Sequence, residues 1–197
     1  MTDLRTIPRL EGPVDATVTV PGSKSIANRV LMCAALAEGT SRISNVPDGD
    51  DTSAMVTCLT ALGLDAELGG GEVTVSGVGT EWPTRPVTLF AGLAGTTSRF
   101  VTALAALGTT PVIIDGHPPL RRRPFGPLHD ALRQLGVTVA SAEGAGSLPA
   151  TVHGPAGSGD VSMPGDVSSQ FVSGLMMIGP YLPGGLRLTL TSQLVSR

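Results

Sequence analysis

The stretch SIANRVLMCAALAEGTSRISNV, residues 25–46, decides the fold because two later parts of the chain repeat its pattern. It opens with a hydroxyl residue, runs for about ten residues with helical apolar spacing, turns at a glycine and ends in a β-branched run. GTTSRFVTALAALGTTPVIIDG (residues 95–116) and DVSSQFVSGLMMIGPYLPGGLRLTLTS (residues 166–192) do the same. Arg29, Arg99 and Gln170 occupy equivalent places, 70 and 71 residues apart. This repetition predicts three copies of one supersecondary unit.

The first two copies also share a second half. Residues 50–68 and 125–141 each have the pattern of an amphipathic helix that ends at Leu-Gly and is followed by a strand. One more strand is predicted after each, over residues 71–77 and 148–154. The opening strands of the three units are predicted at Val14–Val20, Val87–Phe90 and Asp160–Met163. The unit is therefore β-α-β-α-β-β.

The predicted units span residues 14–80, 85–155 and 158–197. The third stops after its second strand, without a second helix or a closing hairpin. Such a unit leaves an apolar face uncovered, and we therefore expect the C-terminus to be a truncation. Residues 1–13 belong to none of the three units.

Composition argues against several classes of function. The 197 residues carry a formal net charge of −3, and the basic residues are scattered apart from Arg121–Arg123, which is not a nucleic-acid-binding pattern. The longest apolar run, near Met176, is too short to span a membrane. Cys33 and Cys58 lie in apolar helical patterns and are expected to be buried thiols of a cytoplasmic protein. Three histidines and no paired cysteine spacing predict no metal site.

The first helix of every unit begins with Ser or Thr beside a glycine. A helix N-terminus leaves about four backbone N–H groups unpaired and carries about half a positive charge, so small residues there let an anion approach. Ordinary N-capping explains any one of these starts equally well. If the units surround a pseudo-threefold axis, however, the three starts converge at one end. That arrangement predicts a ligand with several negative charges.

Lys24 is the only lysine among 13 basic residues, and it lies at the first helix start. Its compact, mobile ammonium would complement the planar guanidinium groups of Arg29 and Arg123 around one anionic ligand. The sequence GSKS does not satisfy the P-loop pattern G-x-x-x-x-G-K-[ST], because Ser23 precedes Lys24 and no glycine occupies the upstream position. ATP hydrolysis is therefore not expected.

Four segments, in this order, resemble the N-terminal half of the 5-enolpyruvylshikimate-3-phosphate synthase family: PGSKSIANRVLMCAALAEG, AGLAGTTSRF, DGHPPLRRRPFGPLHDALRQLG and DVSSQFVSGLMM. The resemblance covers nearly all of residues 14–197. It implies an α/β enolpyruvyl transferase domain, in which βαβαββ units surround a pseudo-threefold axis with helices inside and sheets outside. The third unit would be incomplete. It further implies that residues 14–197 bind shikimate 3-phosphate, that residues 1–13 belong to the interdomain region, and that a C-terminal domain is absent.

The family's reaction transfers the enolpyruvyl group of phosphoenolpyruvate to the 5-hydroxyl of shikimate 3-phosphate, through a tetrahedral intermediate, and releases phosphate. The resemblance implies no metal and no organic cofactor. It assigns to shikimate 3-phosphate the residues Lys24, Ser25, Arg29, Ser168, Ser169, Gln170 and Ser196. It assigns to phosphoenolpyruvate the residues Lys24, Gly95, Arg123 and Gln170. Lys24 lies between the two substrates and is expected to be catalytic.

Two other functions remain open at the level of sequence. The related transferases that act on UDP-N-acetylglucosamine usually carry Lys-Asn where this chain has Lys24-Ser25, together with a reactive loop cysteine. A non-catalytic binding domain would keep the residues for one substrate only. The family's second domain supplies further arginines and acidic groups, so this chain is expected to bind substrate without turnover. Leu93 stands where many family members have asparagine.

Overall fold

The computed structural model describes residues 6–79, 82 and 85–195, and three repeated units are present within them. The first unit contains α1 (Lys24–Leu36), β1 (Glu38–Ile43), α2 (Asp50–Leu62), β2 (Asp65–Gly69) and β3 (Glu72–Val78). Its strands form an antiparallel sheet in the order β1-β3-β2. Helix α2 ends at Gly63, which adopts φ 100° in the left-handed region that favours glycine, as the Leu-Gly pattern predicts.

The second unit is a complete βαβαββ unit with one short extra helix. It contains β4 (Val87–Phe90), α3 (Gly95–Ala105), β5 (Val112–Asp115), α4 (Pro118–Arg121), α5 (Gly126–Gln134), β6 (Thr138–Ser141) and β7 (Ala150–His153). Strands β4 and β5 are parallel, and β7 pairs antiparallel with both β5 and β6, which gives the order β4-β5-β7-β6.

The third unit repeats the opening of the second. It contains β8 (Gly159–Met163), α6 (Ser169–Ile178), a 3₁₀ turn (Gly179–Tyr181) and β9 (Leu186–Leu190). Strands β8 and β9 are parallel, as β4 and β5 are, because a helix connects the two strands of each pair.

The strand predicted at Val14–Val20 is absent from the structure. Residues 6–22 contain no helix or strand, and the side chains of Val14, Val18 and Val20 are exposed. Alternating apolar residues form a strand only where a neighbouring strand supplies hydrogen bonds and a surface to bury against. Among the described residues, β1 pairs with β3 alone, so its other edge stays open.

The helices form the interior and the sheets lie outside, as predicted. Every residue of α3 except Arg99 is buried, and this helix packs against α1, α2 and α6. Its buried hydroxyl groups are satisfied locally: Thr102 Oγ1 donates to the carbonyl oxygen of Ser98, and Ser98 Oγ donates to that of Gly95. By contrast, β2 exposes every second side chain, as an outer strand does. Within the described residues, no helix has the length and apolar character needed to cross a membrane.

In each of the first two units, a glycine in or just after the last strand lets that strand touch the first helix of the unit. A Cβ atom on Gly77 would lie 2.2 Å from the carbonyl oxygens of Ala34 and Ala37 at the end of α1. At Gly154, a Cβ atom would lie 2.2 Å from the carbonyl oxygen of Ala106, just after α3. Only glycine fits so close to another backbone, so both units close in the same way.

The third unit leaves an apolar groove of about 570 Å³ between α6 and β9. Met176 lines it and is 63% exposed, whereas its equivalents in the other two units, Ala35 and Ala105, are buried. In the first two units the second half of the unit covers the equivalent helix face, whereas in the third unit this face of α6 is open.

The two cysteines have different environments, and the prediction that both are buried is wrong for Cys33. Cys33 is exposed because it lies on a face of α1 that no other described element covers. Cys58 is buried in α2, and burial raises the pKa of its thiol to about 12.

Candidate functional site

The first helices of the three units, α1, α3 and α6, all begin at one polar pocket of about 340 Å³. Helix α1 contributes Lys24 and Ser25, α2 contributes Asp51, the start of α3 and the loop before it contribute four residues, and one residue each comes from the α4–α5 connection and from α6. The residues that line the pocket are Lys24, Ser25, Asp51, Leu93, Gly95, Thr96, Arg99, Arg123 and Gln170. The convergence expected from the repeat is therefore present.

The helix starts differ in how their backbone groups are satisfied. Ser23 caps α1 by accepting from the backbone N–H of Ile26, and Ser168 caps α6 by accepting from that of Gln170. The N-cap of α3 is Ala94, which has no side-chain capping bond. The start of α3 forms part of the pocket wall, so its positive dipole end faces the pocket rather than a side-chain cap.

Gly95 lies against the guanidinium of Arg123. A Cβ atom at Gly95 would be only 2.2 Å from Nη1 of Arg123. The backbone of Arg123 is fixed by its N–H, which donates to the carbonyl oxygen of Leu120 over 3.0 Å. The missing side chain of Gly95 therefore lets a cation rest on the start of α3 inside the pocket.

Gln170 joins α6 to α3 at the pocket wall. Its Nε2 donates to Thr96 Oγ1 over 2.9 Å, and its Oε1 accepts from Nη1 of Arg99. Both partners belong to α3, and the two bonds fix which end of the amide faces each of them, so Gln170 is held in one orientation.

Arg99 lines the pocket, although the sequence analysis gave it no role. Its Nη1 also donates to Ser168 Oγ over 3.3 Å, and its Cζ lies 5.0 Å from the ring centroid of Phe171. The Nε atom is buried without a hydrogen-bond partner. Burial, and then the nearby Arg123, lower the pKa of Arg99. Its register with Arg29 and Gln170 is the sequence signal that could have identified it.

Arg29 lies beside the pocket rather than among its lining residues. Its Nη1 donates to the carbonyl oxygen of Ser25 over 2.9 Å, and its Nη2 donates to Ser173 Oγ over 3.0 Å. Ser173 Oγ in turn donates to the carbonyl oxygen of Ser169 over 2.6 Å. Arg29 and Ser169 are thus connected to the pocket wall through α1 and α6, and Ser168 through Arg99. Ser196 lies outside the described residues.

Lys24 pairs with an acidic residue that the sequence analysis did not identify. Its Nζ lies 3.1 Å from Oδ2 of Asp51, with the Lys24 side chain 58% exposed and that of Asp51 23% exposed. The backbone carbonyl oxygen of Asp51 accepts from Thr97 Oγ1 over 3.0 Å, which attaches the start of α2 to α3.

The pocket is strongly cationic. Among the described residues, Asp51 is the only carboxylate that lines the pocket. None of the ion pairs between described residues involves Arg29, Arg99 or Arg123. Arg121, in contrast, is used structurally, with Nη2 2.8 Å from Asp115 Oδ2. No group of three or more His, Cys, Asp or Glu side chains that could hold a metal ion occurs in the described part of the chain. The geometry therefore favours an organic or inorganic anion.

A sequence model of EPSP synthase (3-phosphoshikimate 1-carboxyvinyltransferase) matches residues 8–197. The chain belongs to the EPSP synthase family. Relatives named 3-phosphoshikimate 1-carboxyvinyltransferase include one from Nostoc sp. (strain PCC 7120), 39% identical over 198 residues, which cover 99% of this chain and 47% of that protein. The relative from Erwinia tasmaniensis is 41% identical over 187 residues, covering 93% and 44%. This member of the family thus spans a little under half the length of its curated relatives.

Solved structures agree with the EPSP synthase fold. An EPSP synthase from Acinetobacter baumannii superposes with a TM-score of 0.78 at 26% identity, covering 91% of this chain and 41% of that one. The enolpyruvyl transferase NikO from Streptomyces tendae gives a TM-score of 0.60 at 20% identity, covering 87% and 39%, and shares the fold. Both neighbours confirm the predicted fold class, an α/β enolpyruvyl transferase domain.

Proposed function

We propose that this chain is the shikimate-3-phosphate-binding half of an enolpyruvyl transferase that also uses phosphoenolpyruvate. The observation that carries the proposal is the group of four cations, Lys24, Arg29, Arg99 and Arg123, in or beside a pocket whose only carboxylate among the described residues is Asp51, which pairs with Lys24. Both substrates carry a carboxylate and a phosphoryl group, and such anions suit guanidinium donors and helix N-termini.

The positions of the side chains support a division of the pocket between the two substrates. Ser25, Arg29, Ser168, Ser169 and Gln170 lie on or beside α1 and α6 and would hold shikimate 3-phosphate. Gly95 at the start of α3, and the Arg123 guanidinium that lies against it, would face phosphoenolpyruvate, with Gln170 against both ligands. Ser196 is proposed as a further phosphate ligand on the basis of the family resemblance.

Lys24 is proposed as the catalytic cation. In the reaction, the 5-hydroxyl oxygen loses its proton and bonds to C2 of phosphoenolpyruvate, while C3 gains a proton and the double bond between C2 and C3 becomes single. C3 then loses a proton as the bond from C2 to the phosphate oxygen breaks, which releases phosphate. Charge changes on the oxygen atoms at both steps, and an ammonium placed between the substrates stabilises it most in the transition state.

The chain alone is proposed to bind without turnover. Its relatives are about twice as long, and closure of a second domain over the ligand commonly supplies both affinity and catalytic groups. We expect the isolated chain to bind shikimate 3-phosphate with a dissociation constant on the order of millimolar, since closure is missing. The same proposal puts residues 1–13 between the domains and the protein in the cytoplasm, where the free thiols of Cys33 and Cys58 stay reduced.

Calorimetric titration with shikimate 3-phosphate, shikimate and UDP-N-acetylglucosamine tests the proposal. We expect binding of the phosphorylated acid only, and loss of about tenfold in affinity, close to 1.4 kcal/mol, for Arg29→Ala. Arg42→Ala is the matched control, because Arg42 is exposed on β1 and pairs with Glu72. Binding of the sugar nucleotide in place of shikimate 3-phosphate would overturn the assignment. Release of phosphate from phosphoenolpyruvate by the isolated chain would contradict the absence of turnover.

A further inference from the structure

Asp51 is an unexpected residue in a pocket built for anions. It is the only carboxylate among the described residues that line the pocket, and it bonds to the only lysine of the chain. A fixed negative charge repels an anionic ligand, so its presence here needs a physical reason.

The backbone around Asp51 is held in place on two sides. Buried Thr97, in α3, donates to the carbonyl oxygen of Asp51 over 3.0 Å. Thr52, also buried, donates to the carbonyl oxygen of Pro47 over 3.0 Å and fixes the first turn of α2 to the preceding loop. A carboxylate in that first turn is also favoured by the helix dipole.

Lys24 is the movable partner of the pair. Its side chain is more than half exposed and ends a flexible four-carbon stem, whereas the Asp51 carboxylate has a short stem on a tethered helix turn. An incoming anion can therefore take the ammonium from Asp51 without any change in the backbone.

We propose that Asp51 determines anion affinity by competing with the ligand for Lys24: it holds the ammonium while the pocket is empty and yields it to a phosphoryl group. The inference rests on the proposed function and extends it. A doubly charged phosphoryl group competes with a carboxylate better than a singly charged anion does, so Asp51 favours phosphorylated ligands over simple carboxylates.

The single lysine makes the test direct. Protein labelled with [¹³C]lysine gives one lysine side-chain signal from the chain, which reports on Lys24 while inorganic phosphate is added. The backbone amide signals of Gly95 and Thr96 report binding in every variant, including those without Lys24. Thermal unfolding of each variant shows whether it is folded.

We expect Asp51→Asn to bind inorganic phosphate about fivefold more tightly, the range expected when a partly exposed ion pair no longer has to be broken. Asp51→Glu keeps the charge and is expected to restore wild-type affinity. Asp50→Asn is the matched control, because Asp50 lies in the same helix turn and is exposed. It is expected to change affinity less than about twofold.

A double-mutant cycle separates competition from simple repulsion. In the Lys24→Met background, Asp51→Asn is expected to raise phosphate affinity by less than about twofold, because only the direct repulsion by the carboxylate is then removed. An equal gain in that background, or an unchanged or weakened affinity of Asp51→Asn alone, would overturn the role of Asp51 and leave the proposed function intact. Failure of inorganic phosphate, phosphoenolpyruvate and shikimate 3-phosphate to bind the wild-type chain would overturn the proposed function and this inference together.

Discussion

The hydroxyl group of Tyr181 donates a hydrogen bond to the backbone carbonyl oxygen of Leu36 over 2.7 Å. Tyr181 follows α6 in the third unit, and Leu36 is the last residue of α1 in the first unit, so the bond joins these two units. Together with the contacts of α3 to α1 and α6, it closes the three units into a ring.

Tyr181→Phe removes this bond and keeps the ring packing. We expect the free energy of unfolding in urea to fall by about 1 kcal/mol, because the carbonyl oxygen of buried Leu36 loses its donor. Thr40→Val is the control, since Thr40 is exposed and bonds only to Ser76 across the first sheet. A loss no larger than that of the control would show that the contact between units does not depend on the bond.

Gly95→Ala is expected to act through Arg123. The added methyl group needs space that Nη1 of Arg123 occupies, so the guanidinium is displaced from the start of α3. We expect phosphoenolpyruvate affinity to fall about tenfold, with shikimate 3-phosphate affinity nearly unchanged. In calorimetry, Gly95→Ala combined with Arg123→Ala should bind no more weakly than Arg123→Ala alone; additive losses would indicate a direct clash with the ligand instead.

Arg99→Met is expected to separate ligand binding from stability. The substitution loses the bonds to Gln170 and Ser168 but also removes a partly buried cation that lies near Arg123. We expect shikimate 3-phosphate affinity to fall more than about tenfold, and the free energy of unfolding to change by less than about 1 kcal/mol. Arg122→Met, on an exposed side chain, is the control. Unchanged affinity in Arg99→Met would remove this residue from the site.

His129 makes the stability of the chain depend on pH. It is buried in α5 with Nε2 unpartnered, and burial, then Arg133, lower its pKa from 6.5 to about 4, partly offset by Asp130. Because the folded state holds the proton less tightly, the stabilisation is complete above pH 6.5 and is lost as the pH falls through 4. The loss amounts to about 3 kcal/mol at most.

Urea unfolding at several pH values measures this effect. In His129→Leu, the free energy of unfolding is expected to depend less on pH between 6.5 and 4, whereas exposed His117→Gln is expected to keep the wild-type dependence. A wild-type chain whose stability does not change across that range would contradict the assignment to His129.

The parts of the fold that depend on local pattern could be predicted from the sequence. Strand β4 has the predicted bounds, and α2 ends at the predicted glycine, because periodicity and glycine conformation are properties of a short segment. Val14–Val20 has an equally clear alternation but forms no strand, since strand formation depends on a partner that no local pattern reveals.

In the candidate site, too, the residues in local motifs could be predicted from the sequence, whereas contacts between distant segments could not. Lys24, Gly95 and Arg123 were found from the sequence because each lies at a helix start or in a motif, and they line one pocket. The repeat aligns Arg99 with Arg29 and Gln170, but its place in the pocket wall could not be predicted from the sequence. The pairing of Asp51 with Lys24 joins residues 27 positions apart, and only the packing of α1 against α2 brings them together.

The unpaired outer edge of β1 affects how the isolated chain behaves in concentrated solution. Within the described residues, one row of backbone N–H and C=O groups on that strand has no neighbour, and the exposed valines before α1 lie in a segment with strand-like alternation. Two molecules can satisfy these groups by adding a strand to each other's sheet, which is the usual route to aggregation through an edge. The formal net charge of −3 makes copies of the chain repel each other and opposes such pairing, so low ionic strength should favour the monomer.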